Sequence, residues 1–392
     1  MLSPFKSTLT KSVLVLLVTG LLAAHRVGYS LPARAASGMP DSPEFGYGAR
    51  LDIWGQEVEL ALKAAAGVGV EWIGIDFDWS RHWSNPADPV DLEHLDQIMS
   101  LARGQGLHVL LSITNPPGWA KSAAGPDQNQ TAGLVVMLAK RYPESLLAIE
   151  LFPHANTFMG WGASPDPQAY AAVLKACQTA LQAAGTTTLP VAGGLSPSPA
   201  GGSGGDMDDL AFVMGLYQAG AADYMPILGL RLGENPSNAG EPLANQAGPA
   251  FSSLRRYEDI RQIMLQFNHQ TGLIWITGFE LPGEEEAQGP GAPEPGAQIR
   301  WLNQAYQLMK SQLYIGVAFI DRLNPPEASL SSALPVQSLI TAGDQGLTIQ
   351  PALAAIGQII SLNRSGHTSF QLFLPKKLTT GEAKRSLKPR GP

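Results

Sequence analysis

Residues 67–102 read GVGVEWIGIDFDWSRHWSNPADPVDLEHLDQIMSLA and contain one complete structural unit. The apolar run Val70–Phe77 follows a short glycine link and is typical of a buried strand. Apolar residues then recur at intervals of three or four from Leu92 to Ala102, which predicts a helix with one buried face. The long polar segment 78–90 separates the two. This stretch therefore predicts a strand, a long loop and a helix, in that order.

The same alternation continues along the chain. Eight strands are predicted, near Tyr47–Ile53, Val70–Phe77, His108–Ile113, Leu146–Phe152, Leu189–Gly193, Met225–Arg231, Leu273–Phe279 and Leu313–Ile320. Eight strand–helix pairs favour an α/β fold of the (β/α)₈ type, a TIM barrel. An open doubly wound sheet is the alternative, but no glycine-rich phosphate loop follows an early strand. Long loops follow the strands and short links precede them, so the carboxyl ends of the strands are the expected working face.

Charge and cysteine content narrow the class of partner. The 392 residues carry a formal net charge of −7 without a long basic run inside the predicted barrel, which disfavours a nucleic-acid partner. Cys177 is the single cysteine, so no internal disulfide can form, and its Ala-rich surroundings predict a buried side chain. The histidines do not have the spacing of zinc ligands, and we predict neither a metal nor a cofactor.

The amino-terminal segment of the chain predicts export. Residues 1–36 resemble a signal peptide, with Lys6 and Lys11 before the apolar run Val13–Ala24 and a small-residue exit at Ala33-Arg34-Ala35. If this segment is not cleaved, it becomes a membrane anchor. Residues 37–364 form the predicted barrel, and the basic segment 365–392 is predicted to be a disordered tail. The expected location is secreted or cell-envelope, and the sequence does not indicate an oligomeric state.

Aromatic and polar residues are concentrated in the long loops. Tryptophan rings at the mouth can stack on sugar rings, while polar side chains orient the hydroxyl groups. The sequence therefore predicts a groove for an oligo- or polysaccharide, although packing beneath the loops is an alternative for each ring. The candidate substrate-binding residues are Asp78, Trp79, Trp83, Asn115, Trp119, Asn156, Trp161 and Arg231.

Four segments carry a family resemblance: Gly69–Ser80, Asn115–Ala120, Ile149–Asn156 and Ile274–Phe279. They resemble the second, third, fourth and seventh strands and loops of clan A glycoside hydrolases, especially the xylosidase-like and cellulase-like barrels. The resemblance extends over roughly Phe45–Leu362 and implies the barrel fold more strongly than it implies the reaction.

The resemblance also implies where the catalytic groups should lie. Retaining glycosidases use a carboxylic acid and a nucleophilic carboxylate about 5 Å apart. The family's acid belongs to an Asn-Glu-Pro sequence, but the matching residues here are Pro153-His154-Ala155, so His154 takes the acid position. The family's nucleophile follows a threonine-like residue, whereas Thr277 is followed here by Gly278. Both carboxylates are therefore expected to be absent from their usual positions.

Two further departures from the family's pattern also favour the loss of catalysis. Gly74 stands where the family often has an arginine on its second strand, and the region of Arg231 stands where a histidine is usual after the sixth strand. We therefore expect a carbohydrate-binding pseudoenzyme. The alternative is an active hydrolase with relocated carboxylates, in which Glu280 works with Glu150 or Asp78 and His154 assists.

Overall fold

The computed structural model of the chain describes residues 45–198, 205–232, 254–281, 296–327, 338–343 and 346–364. The predicted signal segment 1–36 and the predicted basic tail 365–392 lie outside these ranges. Among the residues described, no helix combines the length and the apolar character that crossing a membrane requires.

Eight parallel strands close into a barrel, which confirms the predicted (β/α)₈ fold. Around the barrel the strand order is β1, β8, β7, β6, β5, β4, β3, β2. The predicted strands agree with the observed ones to within two residues at each end. The observed strands are β1 (Gly46–Leu51), β2 (Trp72–Asp78), β3 (His108–Thr114), β4 (Leu146–Leu151), β5 (Leu189–Leu195), β6 (Ile227–Leu232), β7 (Leu273–Phe279) and β8 (Ile315–Ile320).

A longer helix follows each strand and covers the outside of the barrel. Asp127 and Asp166 accept hydrogen bonds from the first backbone N–H groups of the third and fourth of these helices, which fixes where they begin. Cys177 is fully buried on the inner face of the fourth, as predicted. The helices are α1 (Val58–Gly67), α2 (Glu93–Gly104), α3 (Gln128–Arg141), α4 (Pro167–Ala183), α5 (Asp209–Gln218), α6 (Arg256–Gln266), α7 (Ala297–Lys310) and α8 (Pro351–Arg364).

Shorter elements lie in the long loops. One-turn helices occupy Trp79–His82 after β2 and Phe158–Trp161 after β4. An antiparallel hairpin of β9 (Ile340–Gly343) and β10 (Gly346–Ile349) precedes α8.

The lower interior of the barrel is apolar and close-packed. Because strand side chains alternate, every second residue points inward. Phe319 lies over Gly48, where even a methyl group would overlap its ring, so the glycine is required by the close approach. This apolar layer consists of Trp72, Leu110, Ala148, Val191, Ile227, Trp275, Val317 and Phe319.

Further along the same strands, toward their carboxyl ends, the inward positions become polar. We call this the polar layer. It consists of Arg50, Asp76, Ser112, Glu150, Arg231, Thr277 and Asp321. The barrel is therefore filled by packing at its base and by charge pairing at its mouth.

Candidate functional site

Arg50 lies at the centre of the polar layer. Its guanidinium is only 6% exposed and is ion-paired with Asp76. The Nη1 atom donates to the Thr277 carbonyl at 3.1 Å and lies 3.8 Å from Glu150 Oε2, while Nε lies 3.7 Å from Asp321 Oδ1. A buried guanidinium requires such partners because desolvating an unpaired charge is very costly. Arg50 therefore ties together four strands and the residue that follows β8.

Glu150 faces the barrel interior from β4 and is fully buried. Its Oε2 atom accepts a short hydrogen bond from Ser112 Oγ, and Arg50 compensates its charge. Its Oε1 atom accepts no hydrogen bond from the residues that the structure describes. The carboxylate is thus held below the mouth as part of the charge network.

On β7, the space beside Gly278, where the family resemblance places a nucleophile, is filled by an ion pair between Arg231 of β6 and Asp321, which follows β8. A methyl group at Gly278 would lie 2.7 Å from Arg231 Cζ and Nη2 and 2.8 Å from Asp321 Oδ1. Arg231 Nη2 donates to both Asp321 oxygens, at 3.0 and 3.2 Å. The register of β7 shifts here against both neighbours, and such bulges re-aim side chains beside binding sites. The space that a β7 carboxylate would need therefore contains a guanidinium.

His154, which the family resemblance places at the position of the acid, follows β4 and carries a neutral imidazole. His154 donates its backbone N–H to the Gly194 carbonyl at 2.8 Å, and its Nδ1 shares a short hydrogen bond with Ser196 Oγ. Burial, together with the positive charges of Arg231 and Arg50, lowers the pKa of His154 to about 3. At neutral pH the ring therefore carries no acidic proton that could be given to a leaving group.

The space beside Gly74 on β2, where the family resemblance places an arginine, is occupied by Arg50 from the neighbouring strand. Arg50 on β1 pairs in register with Gly74, and a methyl group at Gly74 would lie 3.1 Å from Arg50 Nη1. Arg50 was not among the site residues predicted from the sequence, although Gly46, Gly48 and Arg50 have the same inward parity. A charged residue at an inward position of a buried strand is the signal that could have identified it.

Two of the four tryptophans predicted as ligand contacts instead pack beneath the loops, which was the alternative for each ring. Trp79 and Trp161 are fully buried, so neither ring offers a face to a sugar. Trp161 packs edge-on against Phe152 at 5.8 Å, and its N–H donates to the Ala124 carbonyl at 2.9 Å. Large aromatic rings in long loops bury more apolar area under the loop than they would as platforms above it.

Trp83 and Trp119 stay candidates because both are only half-buried. Their rings meet edge-to-face at 4.9 Å, and Trp119 also packs edge-on against Trp79 at 5.6 Å. Trp119 Nε1 donates to the Trp83 carbonyl at 3.2 Å. The buried Trp79 therefore supports a pair of partly exposed rings.

Asn156 is also not available to a ligand, which corrects its predicted role. The side chain is fully buried. Its Nδ2 donates to the carbonyls of Ser196 and Met207 at 2.9 and 3.0 Å, and its Oδ1 accepts from the Ser196 N–H at 3.0 Å. The amide is fully used in fastening the loop after β4 to the loop after β5.

Asp78 and Asn115 are partly exposed, but each has a structural role. Asp78 Oδ1 caps the one-turn helix by accepting from the Arg81 N–H at 3.0 Å, and it accepts from Asn115 Nδ2 at 3.0 Å. Asp76, from the same strand, instead pairs with Arg50 while 60% of its side chain stays exposed. Of these carboxylates, Asp76 offers the largest free surface.

Glu280 lies just beyond β7 and belongs to a separate ion pair. Its Oε1 accepts from Arg322 Nη2 at 2.8 Å, with 30% of the glutamate side chain exposed. In the described ranges, no three His, Cys, Asp or Glu side chains come together as a metal site would require.

Comparisons with known proteins extend the fold assignment. No protein-family model and no curated protein matches this sequence. Among solved structures, the chain is similar to a family 39 glycoside hydrolase from the gut symbiont Bacteroides cellulosilyticus WH2. The TM-score is 0.58 and the identity 16%, covering 82% of this chain and 64% of that one.

Two further structures have the same fold. The exo-beta-1,4-mannosidase Op5Man5 from Opitutaceae bacterium strain TAV5 gives a TM-score of 0.58 at 14% identity, covering 84% of this chain and 62% of that one. The structure of XacCel5A in complex with cellopentaose gives a TM-score of 0.51 at 12% identity, covering 81% of this chain and 100% of that one. The chain thus spans less than two thirds of the first and second of these proteins, and it has the barrel fold of glycoside hydrolases.

Proposed function

We propose that this chain is an exported carbohydrate-binding protein that keeps a glycosidase barrel but lacks the two-carboxylate reaction. The observation that carries the proposal is the Arg231–Asp321 ion pair beside Gly278. A retaining hydrolase needs a free carboxylate at that point to attack the anomeric carbon. A guanidinium is a cationic hydrogen-bond donor without an available lone pair, so it cannot perform that attack.

The neutral His154 supports the same proposal. Leaving-group protonation needs a group that still carries its proton near the working pH, and an imidazole with a pKa of about 3 does not. The carboxylates considered as relocated catalytic groups are engaged elsewhere: Glu150 is buried against Ser112, and Glu280 is paired with Arg322. Asp78 accepts hydrogen bonds from Arg81 and Asn115. Both steps of the retaining mechanism therefore lack their group.

Sugar binding is supported by the mouth and by the structural neighbours. Trp83 and Trp119 provide partly exposed rings, and Asp76 provides an exposed hydrogen-bond acceptor. Two of the neighbouring structures are a glycoside hydrolase and an exo-mannosidase, and a third was solved with cellopentaose. A neutral β-linked oligosaccharide is the ligand class that we expect.

Export rests on the sequence of the first 36 residues. We expect cleavage near Ala35 or Ala36. Mass measurement of the mature protein from its natural host checks this, because an intact Met1 on membrane-bound material would mean an anchor instead.

The function is tested by a glycan array run beside a panel of chromogenic glycosides, with Trp119→Ala as the binding control. The expected result is saturable binding to at least one neutral glycan, weakened in the control, with no release of chromophore. Turnover by the natural chain would overturn the non-catalytic part. Absence of binding across the array would overturn the carbohydrate part.

A further inference from the structure

Two oxygen atoms in the polar layer are buried without a hydrogen-bond partner among the described residues. They are Glu150 Oε1 and Thr277 Oγ1, and both side chains are 0% exposed. Nearly all buried polar atoms in folded proteins have a partner, and a carboxylate oxygen is among the costliest to leave without one. Two such atoms on neighbouring parts of one layer point to a shared occupant.

Gly194 shows that both atoms face the same point. A methyl group on Gly194 would lie 2.7 Å from Glu150 Oε1 and closer still to Thr277 Oγ1. The register between β5 and β6 shifts across this glycine, so the backbone is displaced here. Any side chain at position 194 would collide with both oxygens, so the two atoms lie within reach of one shared neighbour beside the Gly194 backbone.

The chemistry of the two atoms selects the occupant. A carboxylate oxygen only accepts hydrogen bonds, while a threonine hydroxyl both donates and accepts. A hydroxyl group or a water molecule satisfies both. The charge of the layer also favours a neutral ligand. Arg50 and Arg231 contribute two positive charges, and Asp76, Glu150 and Asp321 contribute three negative ones, so the layer has one net negative charge. With His154 neutral, the net negative charge disfavours an acidic sugar.

We infer that Glu150, Thr277 and Gly194 form a polar subsite that takes one hydroxyl group, from water in the free protein and from a neutral sugar in the complex. The sugar half of this inference rests on the proposed function; the water half does not.

Arg231 controls access to the subsite. Its Cγ would lie 3.0 Å from the same methyl position on Gly194, so its aliphatic stem covers the subsite, while Nη2 is fastened to Asp321. A sugar hydroxyl reaches Glu150 and Thr277 only when this stem moves aside. Arg231 is therefore a specificity-determining residue that holds the subsite closed.

The water half is tested by the thermal stability of Thr277→Val. Loss of a hydrogen bond to the occupant should lower the Tm by about 1–3 °C. If nothing occupies the subsite, the same change removes an unsatisfied hydroxyl, and the Tm stays level or rises. Thr188→Val is the matched control, because it removes a hydrogen bond of 2.9 Å to the Leu146 carbonyl at the other end of the barrel. A level or raised Tm for Thr277→Val would overturn the subsite.

The sugar half is tested by calorimetry with cellopentaose and with a uronic-acid oligomer of equal length. Arg231→Ala should bind cellopentaose about tenfold more tightly than the natural chain, and Thr277→Val added to it should remove the gain. If Arg231→Ala does not fold, the same measurement uses Arg231→Gln, which keeps a hydrogen-bond donor for Asp321. Unchanged cellopentaose affinity, or a stronger gain for the acidic oligomer, would overturn the role of Arg231. If no variant binds either sugar while Thr277→Val still lowers the Tm, the proposed function fails and the water-filled subsite stands.

Discussion

The apolar layer and the polar layer lie within the same barrel, only two to four residues apart along the strands that contribute to both, yet they are built differently. Trp72 and Trp275 meet edge-to-face at 5.0 Å in the lower layer, where nothing but packing holds the residues. In the upper layer Arg50 holds its neighbours through ion pairs and hydrogen bonds. The lower layer therefore tolerates no loss of volume, and the upper layer tolerates no loss of charge balance.

This difference bears on function because active sites of such barrels lie at the carboxyl ends of the strands. At that end a hydrolase presents free carboxylates. Here the carboxylates of Asp76, Glu150 and Asp321 are paired with arginines inside the layer. The polar layer beneath the mouth is thus a second set of interior contacts, held together by ion pairs instead of apolar packing.

Trp275→Ala tests the lower layer and should have the largest effect on stability. Removing a large buried ring leaves a cavity and should lower the free energy of unfolding by about 3–5 kcal/mol. Urea unfolding measures it. Leu313→Ala is the control, because that side chain is 99% exposed, and its effect should stay within about 0.5 kcal/mol. A small loss for Trp275→Ala would mean that the base of the barrel is not close-packed.

Arg50→Met tests the upper layer. The change keeps most of the side-chain volume but leaves Glu150 and Asp321 without their shared cation, at an expected cost of about 2–4 kcal/mol. Arg103→Met is the matched control, since its pair with Glu144 is exposed and should contribute about 1 kcal/mol or less. Equal effects from the two variants would contradict the idea of a charge-built core.

His154→Gln tests the same layer through pH. The pKa of His154 is about 3 in the folded chain and about 6.5 when the chain unfolds, so below pH 6.5 the unfolded chain takes up a proton that the folded chain does not. The free energy of unfolding should therefore fall as pH decreases from 6.5 toward 3, by roughly 1 kcal/mol per pH unit from this residue. His154→Gln should remove that part of the slope between pH 6.5 and 4.5.

The control for this measurement is Leu313→Ala, an exposed side chain without a titratable group, which should leave the slope as it is in the natural chain. An unchanged slope in His154→Gln would mean that His154 is accessible to protons in the folded protein and that the mouth is more hydrated than its burial indicates.

Trp119→Ala tests the surface above the polar layer and should have the smallest effect. Loss of a half-buried ring at the mouth should weaken glycan binding by about 1–2 kcal/mol if the ring stacks on the sugar. Affinity measured by titration checks this, and Trp83→Ala should act in the same direction. Full affinity in both variants would move the binding site away from this pair.

The two layers were not equally predictable from sequence. The apolar layer follows from period-2 burial, so Trp72, Trp275 and the strands that carry them could be located to within two residues. The polar layer depends on partners from different strands. Gly278 was identified as lacking a side chain, but that Arg231 and Asp321 fill its space requires the closed barrel.

The roles of the loop residues could not be predicted from the sequence for a different reason. Trp161 and Asn156 are amphipathic groups in long loops, and the same composition suits either a ligand or the underside of a loop. Burial decides between the two, and it depends on how Phe152, Ala124 and the loop after β5 pack around them. No local pattern carries that information.

The most direct test of the account is the rate at which the natural chain hydrolyses aryl glycosides with good leaving groups, which relax the need for acid assistance, measured beside Glu280→Gln. Because Arg231 fills the space beside Gly278 and His154 is neutral, both proteins should show no turnover above the buffer rate. Adding His154→Glu and Gly278→Glu should not restore retaining hydrolysis while Arg231 stays in place. Turnover by the natural chain that Glu280→Gln abolishes would contradict the account and make Glu280 the nucleophile.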